Sequence, residues 1–417
     1  MKISDNMLKI GGNAVKASQK LRILPTEKKN EALTAIKEII FNDKNIIIEE
    51  NKKDMEFGLR KNLSEAMLDR LYIDKIRLSQ IIDSLNNIIT LPDPVGSIVN
   101  ELTRPNGLIV KRIRTPIGVI GVIFESRPNV FVDAGALCFK SGNASVLRCG
   151  SESYNTSIAF EKCFRMGFKE VGITESAVQL VPTRDRSAVE EMLIMSDHFD
   201  VIIPRGGKGL VGLVQDKARV PIFAHLEGIV HIYVHADADP IKARKVILNS
   251  KLRRPGICGA VECLLIDEQF INKHGTSVIS DLVSAGVCVK VSDDLMHIDG
   301  VVLAEKNDWG KEFLSMAIAV RTVSGMDKAL SHIQSYGSNH TDCIVTENNS
   351  AGEKFFLELD SAILMRNAST QFADGGEFGF GAEIGIATGK LHARGPVGLE
   401  QLTSFKYTLN GDGQTRP

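Results

Sequence analysis

Residues 117–130 read Ile-Gly-Val-Ile-Gly-Val-Ile-Phe-Glu-Ser-Arg-Pro-Asn-Val, an eight-residue apolar run that ends abruptly in polar side chains. A continuous apolar run of this length, rich in Val and Ile, is typical of a parallel strand that is buried on both faces. In an open α/β sheet, the carboxyl ends of such strands line the ligand crevice. The run therefore predicts a central strand, and it places Arg127 and Asn129 where a binding site is expected.

Similar short runs alternate with amphipathic stretches along most of the remaining chain. The first group of predicted strands is 117–124, 144–148, 177–181, 201–204, 221–224 and 229–235. Asp239 and Pro240 then provide an N-cap and a first-turn proline for a helix. A second group of predicted strands follows it, at 260–266, 287–291, 317–323, 341–346 and 362–366. This alternation predicts an α/β fold with two parallel-sheet units that carry helices on both faces.

Two further segments belong to neither group of strands. Residues 108–114 and 398–409 have the composition of isolated strands, and such strands usually pair with each other or with another subunit. We therefore divide the chain into a first α/β domain, a second α/β domain and a separate ribbon. The first domain is expected at 1–107, including its helical N-terminal part, and at 116–236, the second at 237–370, and the ribbon at 108–115 with 396–412.

Composition and charge exclude several classes of function. The 417 residues carry a formal net charge of −1, so no global field attracts nucleic acid or anionic lipid. The longest apolar run has eight residues, whereas a membrane-spanning helix needs ~20. The first twenty residues are polar and lack the apolar segment of a secretory signal, so we expect a cytoplasmic protein.

Cysteine and histidine spacing gives no metal or disulfide signature. The seven cysteines are scattered, odd in number and without a C-x-x-C pair, which argues against a disulfide framework or a zinc ribbon. His231 and His235 lie on a predicted strand, where side chains four residues apart are separated by ~13 Å. We therefore expect no metal site.

Cys258 is the first candidate for chemistry, in the sequence Arg-Arg-Pro-Gly-Ile-Cys-Gly-Ala-Val-Glu at 253–262. Pro255 and the flanking glycines let the backbone approach a ligand closely and leave the thiol on a loop. Arg253 and Arg254 favour a thiolate there. The alternative is that Cys258 is a small buried apolar residue, as is usual for free cysteines and as the strand setting of Cys263 indicates.

Two segments could bind an anion. Residues 207–212 form the G-x-G-x-x-G pattern between a predicted strand and helix, with Lys208 inside it. Ser151 is a candidate N-cap three residues after Arg148. Each segment could equally be a plain strand-to-helix turn. Two parallel sheets, an anion-binding loop and an exposed thiol together indicate a nicotinamide enzyme that uses covalent thioester chemistry.

Ordered motifs along nearly the whole chain resemble the gamma-glutamyl phosphate reductase family, also called glutamate-5-semialdehyde dehydrogenases, a branch of the aldehyde dehydrogenase superfamily. The motifs are 117–130, Lys140-Ser-Gly-Asn-Ala144, Arg148-Cys-Gly-Ser-Glu152, Ile203-Pro-Arg-Gly-Gly-Lys208, His225-Leu-Glu-Gly228, Arg254-Pro-Gly-Ile-Cys258, Tyr336-Gly-Ser338, Asn367-Ala-Ser-Thr370, Phe372-Ala-Asp-Gly375 and His392-Ala-Arg-Gly-Pro396. The resemblance implies an aldehyde dehydrogenase-like fold with two Rossmann-like domains, one for the cofactor and one for catalysis, and a β ribbon for oligomerisation.

The same resemblance implies an activity and a set of site residues. The expected reaction is the NADPH-dependent reduction of L-glutamyl 5-phosphate to L-glutamate 5-semialdehyde and phosphate, the second step of proline biosynthesis. Cys258 matches the family's nucleophile, and Asn129 matches the amide that stabilises the oxyanion. Glu312 resembles the glutamate that holds the nicotinamide-side ribose. The remaining expected cofactor contacts are Arg148, Ser151, Gly206, Gly207 and Lys208.

The turn after the strand 144–148 is expected to determine the preference for NADPH or NADH. Members of the superfamily that prefer NAD often carry an acidic side chain there, whereas this chain has Ser151 with Arg148 nearby. A hydroxyl and a guanidinium suit a 2′-phosphate. Glu152 argues against this unless it points elsewhere, and helical geometry places neighbours ~100° apart, so we expect Ser151 and Glu152 to face different directions.

Two positions depart from the family. His225, with Glu227 two residues later, stands where aldehyde-oxidising relatives carry a water-activating glutamate, which fits a reductase. Gln371 stands where arginine is expected. If that arginine contacts the substrate or a second subunit in the family, its replacement by glutamine would affect substrate affinity or assembly. The expected partners are the small-molecule substrate, a second copy in a dimer or tetramer, and glutamate 5-kinase. The alternatives are an aldehyde dehydrogenase that deacylates by hydrolysis and a binding protein without turnover.

Overall fold

A computed structural model describes residues 3–416, which form two compact units. Within the described residues, the first unit comprises 3–224, 379–385 and 397–416, and the second comprises 225–378 and 386–396. No helix within residues 3–416 combines the length and the apolar character that crossing a bilayer requires.

Five helices lie within residues 3–90 of the first unit, and four more accompany its parallel sheet. The N-terminal helices are α1 (Ile3–Leu21), α2 (Thr26–Asn42), α3 (Lys44–Arg60), α4 (Glu65–Leu71) and α5 (Lys75–Thr90). The helices associated with the sheet are α6 (Asn129–Lys140), α7 (Tyr154–Glu170), α8 (Ser187–Ile194) and α9 (Lys208–Lys217). The buried residues Ala32, Leu33, Ile36 and Ile40 of α2 lie on one face at helical spacing, so this helix packs its apolar stripe inward.

The sheet of the first unit has four parallel strands in the order β5-β4-β3-β6. These strands are β3 (Val119–Phe124), β4 (Ala144–Cys149), β5 (Val178–Leu180) and β6 (Val201–Arg205). All six residues of β3 are buried, which explains its uninterrupted apolar sequence. The predicted strand at 221–224 contributes only one bridge, between Ile222 and Ile202.

A separate antiparallel sheet in the first unit has the order β1-β2-β16. Its strands are β1 (Ile98–Thr103), β2 (Ile109–Pro116) and β16 (Thr403–Asn410). The pairing of β2 with β16 agrees with the expected ribbon, which belongs to neither parallel sheet. The prediction missed β1, because all six of its residues are exposed and show no alternation of apolar and polar side chains.

The second unit contains a seven-stranded parallel sheet in the order β10-β9-β11-β8-β7-β12-β13. These strands are β7 (Val230–Val234), β8 (Val261–Asp267), β9 (Cys288–Val291), β10 (Val302–Leu303), β11 (Ala317–Val323), β12 (Thr341–Val345) and β13 (Ile363–Arg366). Its helices are α10 (Pro240–Leu252), α11 (Glu268–His274), α12 (Ser277–Ser284), α13 (Met326–Tyr336) and α14 (Asn349–Glu358). The short strands β14 (Ile386–Ala387) and β15 (Gly395–Pro396) pair with each other.

The observed units differ from the expected domains at their boundaries. The strand predicted at 229–235 is β7, which pairs with β8 and β12 in the second sheet, so the boundary lies after residue 224 rather than after 236. The second unit also extends beyond 370 to residue 378. Sequence order does not reveal which sheet a strand joins, because β7 is placed in the second sheet by hydrogen bonds to strands far along the chain. As expected, α10 begins at Pro240 with Asp239 as its N-cap.

Candidate active site

Cys258 lies on the loop between α10 and β8, at the amino end of a central strand of the second sheet. It is half-buried, whereas Cys138, Cys149, Cys163, Cys263 and Cys343 are buried and Cys288 is exposed. Burial raises the pKa of Cys149 to about 11 and that of Cys163 and Cys343 to about 12, which keeps these thiols protonated and unreactive at neutral pH. Among the seven cysteines, Cys258 combines partial exposure with a glycine-flanked loop.

Two imidazoles lie beside this thiol. Single ligand atoms of His225, Cys258 and His340 all lie within 4.8 Å of one another. His225 is the first residue of the second unit, and His340 directly precedes β12. Three segments of the second unit that are distant in the sequence therefore meet at Cys258. The rings of the two histidines meet edge to face with centroids 5.0 Å apart.

The hydrogen bond of His225 defines its proton chemistry. Its Nδ1 lies 2.6 Å from the carbonyl oxygen of Ile386. Because a carbonyl oxygen only accepts, Nδ1 carries the hydrogen, and in the neutral ring Nε2 is the nitrogen that can take a proton. Nδ1 of His340 lies 2.9 Å from Oγ1 of Thr341.

Gly228 packs directly against the backbone of Cys258. A Cβ atom at position 228 would lie 2.8 Å from Cβ and 2.9 Å from Cα of Cys258, and closer still to its carbonyl oxygen. Only glycine therefore permits this approach. The N–H of Gly228 donates to Oε1 of Glu312 over 2.8 Å, so the predicted ribose-binding carboxylate is held next to the nucleophile loop.

A buried ion pair closes the base of the nucleophile loop. Nζ of Lys251, at the end of α10, lies 2.7 Å from Oε2 of Glu262 on β8, and it also donates to the carbonyl of Val261. Both side chains are at most 1% exposed. Oε1 of Glu262 accepts the N–H of Leu314, two residues after Glu312. Burial raises the pKa of Glu262 to about 7, and the Lys251 ammonium opposes this rise.

Gln371 supports the same loop from inside the unit. Its buried side-chain nitrogen donates to the carbonyls of Ser250 over 2.9 Å and Arg254 over 3.4 Å. Its side-chain oxygen lies 3.5 Å from Nη1 of Arg253. The residue that stands where arginine was expected thus holds the chain that leads into the Cys258 loop.

Asn129 is the first residue of α6 in the first unit, directly after the polar segment that follows β3. Its side-chain nitrogen donates to Oδ2 of Asp133 over 3.0 Å, and Ser84 donates to the other oxygen of that carboxyl. Burial raises the pKa of Asp133. A carboxamide has two N–H groups, so this bond fixes the orientation of Asn129 and leaves the second donor for another acceptor.

The glycine-rich segment follows β6 and leads into α9. A Cβ at Gly206 would lie 2.7 Å from the side chain of Leu210 and would also collide with Glu125, whose Oε2 accepts the N–H of Gly207. Gly207 is the N-cap of α9, and Lys208 is its exposed first residue. A Cβ at Gly212 would meet nothing within 4 Å. The third glycine of the pattern therefore lacks the close packing it has in the dinucleotide-binding motif.

Ser151 begins a short 3₁₀ turn after β4. Its Oγ lies 3.4 Å from Oε2 of Glu152, so the expectation that these neighbours face different directions is wrong. The other oxygen of Glu152 accepts from the N–H of Ser126 over 2.7 Å and from its hydroxyl over 2.9 Å. A 3₁₀ turn and these two donors, rather than regular helical geometry, set the direction of the carboxylate.

Arg148 occupies a different place from the one expected of a phosphate ligand. It is 6% exposed, and its Nη2 donates to the carbonyls of Arg184 over 3.2 Å and Asp185 over 3.3 Å. Its guanidinium thus supports the loop after β5. Burial lowers the pKa of Arg148.

Comparison with known proteins identifies the family. The profile of the aldehyde dehydrogenase family matches residues 4–297. A gamma-glutamyl phosphate reductase of Rhizobium johnstonii is 52% identical over 410 residues, which cover 98% of this chain and 96% of that protein. The crystal structure of the Thermotoga maritima gamma-glutamyl phosphate reductase is 40% identical, with a TM-score of 0.96 over 99% of this chain and 100% of that chain. The chain belongs to the gamma-glutamyl phosphate reductase family.

Membership of the gamma-glutamyl phosphate reductase family confirms the expected aldehyde dehydrogenase-like fold and makes the chain an oxidoreductase that acts on an aldehyde or acyl phosphate. The aldehyde dehydrogenase family uses nicotinamide cofactors. Sequence reasoning missed the positions of His340 and of the Lys251–Glu262 pair. The Tyr336-Gly-Ser338 motif, which ends two residues before His340, was the one signal near it.

Proposed function

We propose that the protein reduces L-glutamyl 5-phosphate to L-glutamate 5-semialdehyde and phosphate with NADPH, through a thioester on Cys258, as the second step of proline biosynthesis. The observation that carries the proposal is the half-buried thiol of Cys258 beside two imidazoles, in a chain of the gamma-glutamyl phosphate reductase family. A thiol that is neither sealed in the core nor fully solvated suits a nucleophile.

Cys258 and His225 divide the first half of the reaction between them. As Sγ of Cys258 attacks the acyl carbon, its proton passes to Nε2 of His225, the carbon–sulfur bond forms, and the bond from carbon to the phosphate oxygen breaks. Phosphate leaves with the bonding electron pair. When the acyl group is later released as aldehyde, the sulfur regains its electron pair, and His225 returns the proton to it.

Charge develops on the acyl oxygen while it is tetrahedral. We assign its stabilisation to the backbone N–H of Cys258 and to the side-chain amide of Asn129, because donors aimed at a developing oxyanion lower the barrier. The bond from Asn129 to Asp133 supports this role, since it holds the amide in one orientation. Asn129→Ala is expected to lower kcat more than it weakens substrate binding.

The carboxyl ends of β3, β4 and β6 suit a nicotinamide dinucleotide. A bound nicotinamide cofactor supplies the hydride that converts the acyl group to the aldehyde. The amino end of α9, which follows Gly207, suits a phosphate because the backbone N–H groups at a helix start favour an anion. We assign the cofactor contacts to Ser151, Gly206, Gly207 and Lys208, with Glu312 on the ribose side.

NADPH preference is assigned to the turn that contains Ser151. Its hydroxyl can donate to a 2′-phosphate, and the carboxylate of Glu152 next to it already accepts two bonds from Ser126. Arg148 is not assigned to the 2′-phosphate, because its guanidinium binds the carbonyls of Arg184 and Asp185 in the loop after β5. Ser151→Glu is expected to reduce kcat/KM for NADPH more than for NADH, and equal values for both cofactors in the parent protein would overturn the assignment.

Assembly and cellular setting complete the proposal. The strands β1 and β16 form the two edges of the ribbon, and both carry exposed apolar side chains, including Ile98, Leu102, Tyr407 and Leu409. Such edges favour pairing with a second copy of the chain in a dimer or tetramer. We place the enzyme in the cytoplasm, where glutamate 5-kinase would supply its labile acyl phosphate.

The thioester is the direct test of this function. The enzyme is incubated with glutamate semialdehyde and NADP without phosphate, quenched in acid, and digested for mass spectrometry. We expect a glutamyl group on the Cys258 peptide, its loss on addition of phosphate before the quench, and its absence in Cys258→Ser. Cys263→Ser is the matched control and should acylate normally. A hydrolytic aldehyde dehydrogenase would release the acyl group without phosphate, and that result would contradict the proposal.

A further inference from the structure

The three side chains at the nucleophile have the chemistry of a zinc-binding site. Catalytic zinc sites use three protein ligands drawn from Cys, His and carboxylates, and they leave a fourth position open. His225, Cys258 and His340 supply two imidazole nitrogens and one sulfur, all within 4.8 Å of one another. Ligands of one tetrahedral zinc ion lie ~3.3–3.6 Å apart. Closing the set therefore needs a movement of about 1.5 Å or less, which torsions of these side chains can supply.

The partners of the two imidazoles favour the same arrangement. Histidines that bind metals usually engage the other ring nitrogen in a hydrogen bond, which fixes the tautomer and the ring orientation. Here Nδ1 of His225 bonds the carbonyl of Ile386, and Nδ1 of His340 lies at Oγ1 of Thr341. The Nε2 atoms are therefore the ones to bind an ion.

A second group of similar composition provides a comparison. His231, Cys263 and His332 also have ligand atoms within 4.8 Å of one another, but all three are buried in the core of the second unit. An ion entering that group would lose its hydration at a place closed to solvent, which is costly, and His231 already contacts the buried carboxylate of Asp342 over 3.2 Å. Cys258 and His225 are half-buried, so the first group is the one that solvent ions reach.

We propose that His225, Cys258 and His340 bind a thiophilic divalent cation, Zn²⁺, and that its binding reversibly inhibits the enzyme. The sulfur–zinc bond forms as the S–H bond of Cys258 breaks, the proton leaves to solvent, and no oxidation state changes. The electron pair that would attack the acyl phosphate is then engaged by the metal. The inhibition, but not the binding, rests on the proposed function.

The binding test needs no turnover. The protein carries Cys288→Ser, which removes the exposed thiol, and is stripped with a chelator and dialysed against Zn²⁺ of known free concentration. Bound metal is measured by mass spectrometry, and Co²⁺ replaces Zn²⁺ to give a thiolate charge-transfer absorption. We expect one ion per chain. Because changes even to outer partners of a metal site weaken binding by ~10–100-fold, we expect at least that loss in Cys258→Ser and His225→Gln.

Cys263→Ser serves as the matched control and should keep both the stoichiometry and the charge-transfer band. Circular dichroism of each variant checks that the fold is retained. Loss of the ion in Cys263→Ser but not in Cys258→Ser would move the site to the buried group and overturn the proposal, as would the absence of stoichiometric binding. In the inhibition arm, Zn²⁺ should stop turnover and a chelator should restore it. Binding without inhibition would refute the regulatory part while the site itself stands.

Discussion

Gly228→Ala is the substitution that probes the nucleophile loop most sharply. The new Cβ would lie 2.8 Å from Cβ of Cys258, whereas carbon atoms in favourable contact are ~3.5–4.0 Å apart. The backbone of the loop or of residue 228 must therefore move by about 0.7 Å or more. Misplacement of a reacting group by about 1 Å can cost about a hundredfold in rate. We expect kcat to fall about ten- to a hundredfold, because the shift displaces both the thiol of Cys258 and the N–H of Gly228 that donates to Glu312.

Three measurements distinguish displacement of the Cys258 loop from unfolding of the protein. Steady-state kcat is measured together with the rate at which iodoacetamide alkylates Cys258 and with thermal unfolding. Crowding of this kind destabilises a protein by about 1–3 kcal/mol, so the variant should remain folded at 25 °C. Gly12→Ala is the matched control, since a Cβ at position 12 in α1 meets nothing within 4 Å. A folded Gly228→Ala enzyme with kcat within twofold of the parent would refute the reasoning.

Three further outcomes follow from other parts of the structure. Cys258→Ser should abolish turnover while Cys263→Ser retains most of it, and substantial activity in the first variant would remove the nucleophile assignment. Lys251→Met should lower the free energy of unfolding in urea by about 3–5 kcal/mol, because it leaves Glu262 buried without its partner, and replacing both residues by apolar ones should recover much of this loss. Deleting residues 404–417 removes most of β16 and should lower the oligomeric mass in sedimentation, whereas an unchanged mass would argue against the ribbon as an assembly element.

The fold was predictable where local sequence and burial agree. The strand β3 is apolar throughout because helices cover both faces of its sheet, and the start of α10 is marked by Asp239 and Pro240. Prediction failed where hydrogen bonds between strands distant in the sequence determine which sheet a strand joins. The strand β1 is exposed along its length and is stabilised by hydrogen bonds to β2, and β7 joins the second sheet although it follows the first in the chain.

In the candidate site too, local sequence features were predictable and contacts between distant segments were not. Cys258 was found from its glycine-flanked loop and motif, because both are local features. Its neighbours His225 and His340 lie 33 and 82 residues away in the chain, so only the fold brings them together. Arg148 was expected to reach a phosphate. An arginine at the end of a strand can also be buried when backbone carbonyls accept its N–H groups, and the carbonyls of the adjacent residues Arg184 and Asp185 do so here.

The reverse reaction tests the central claim most directly. Glutamate semialdehyde and NADP are mixed with the enzyme, and reduction of the nicotinamide is followed by its absorbance with and without inorganic phosphate. A reductase that forms a thioester on Cys258 needs phosphate to release the acyl group, so we predict sustained reduction that depends on phosphate and at most one turnover per site without it. Sustained reduction in the absence of phosphate would show release by water and would contradict the account.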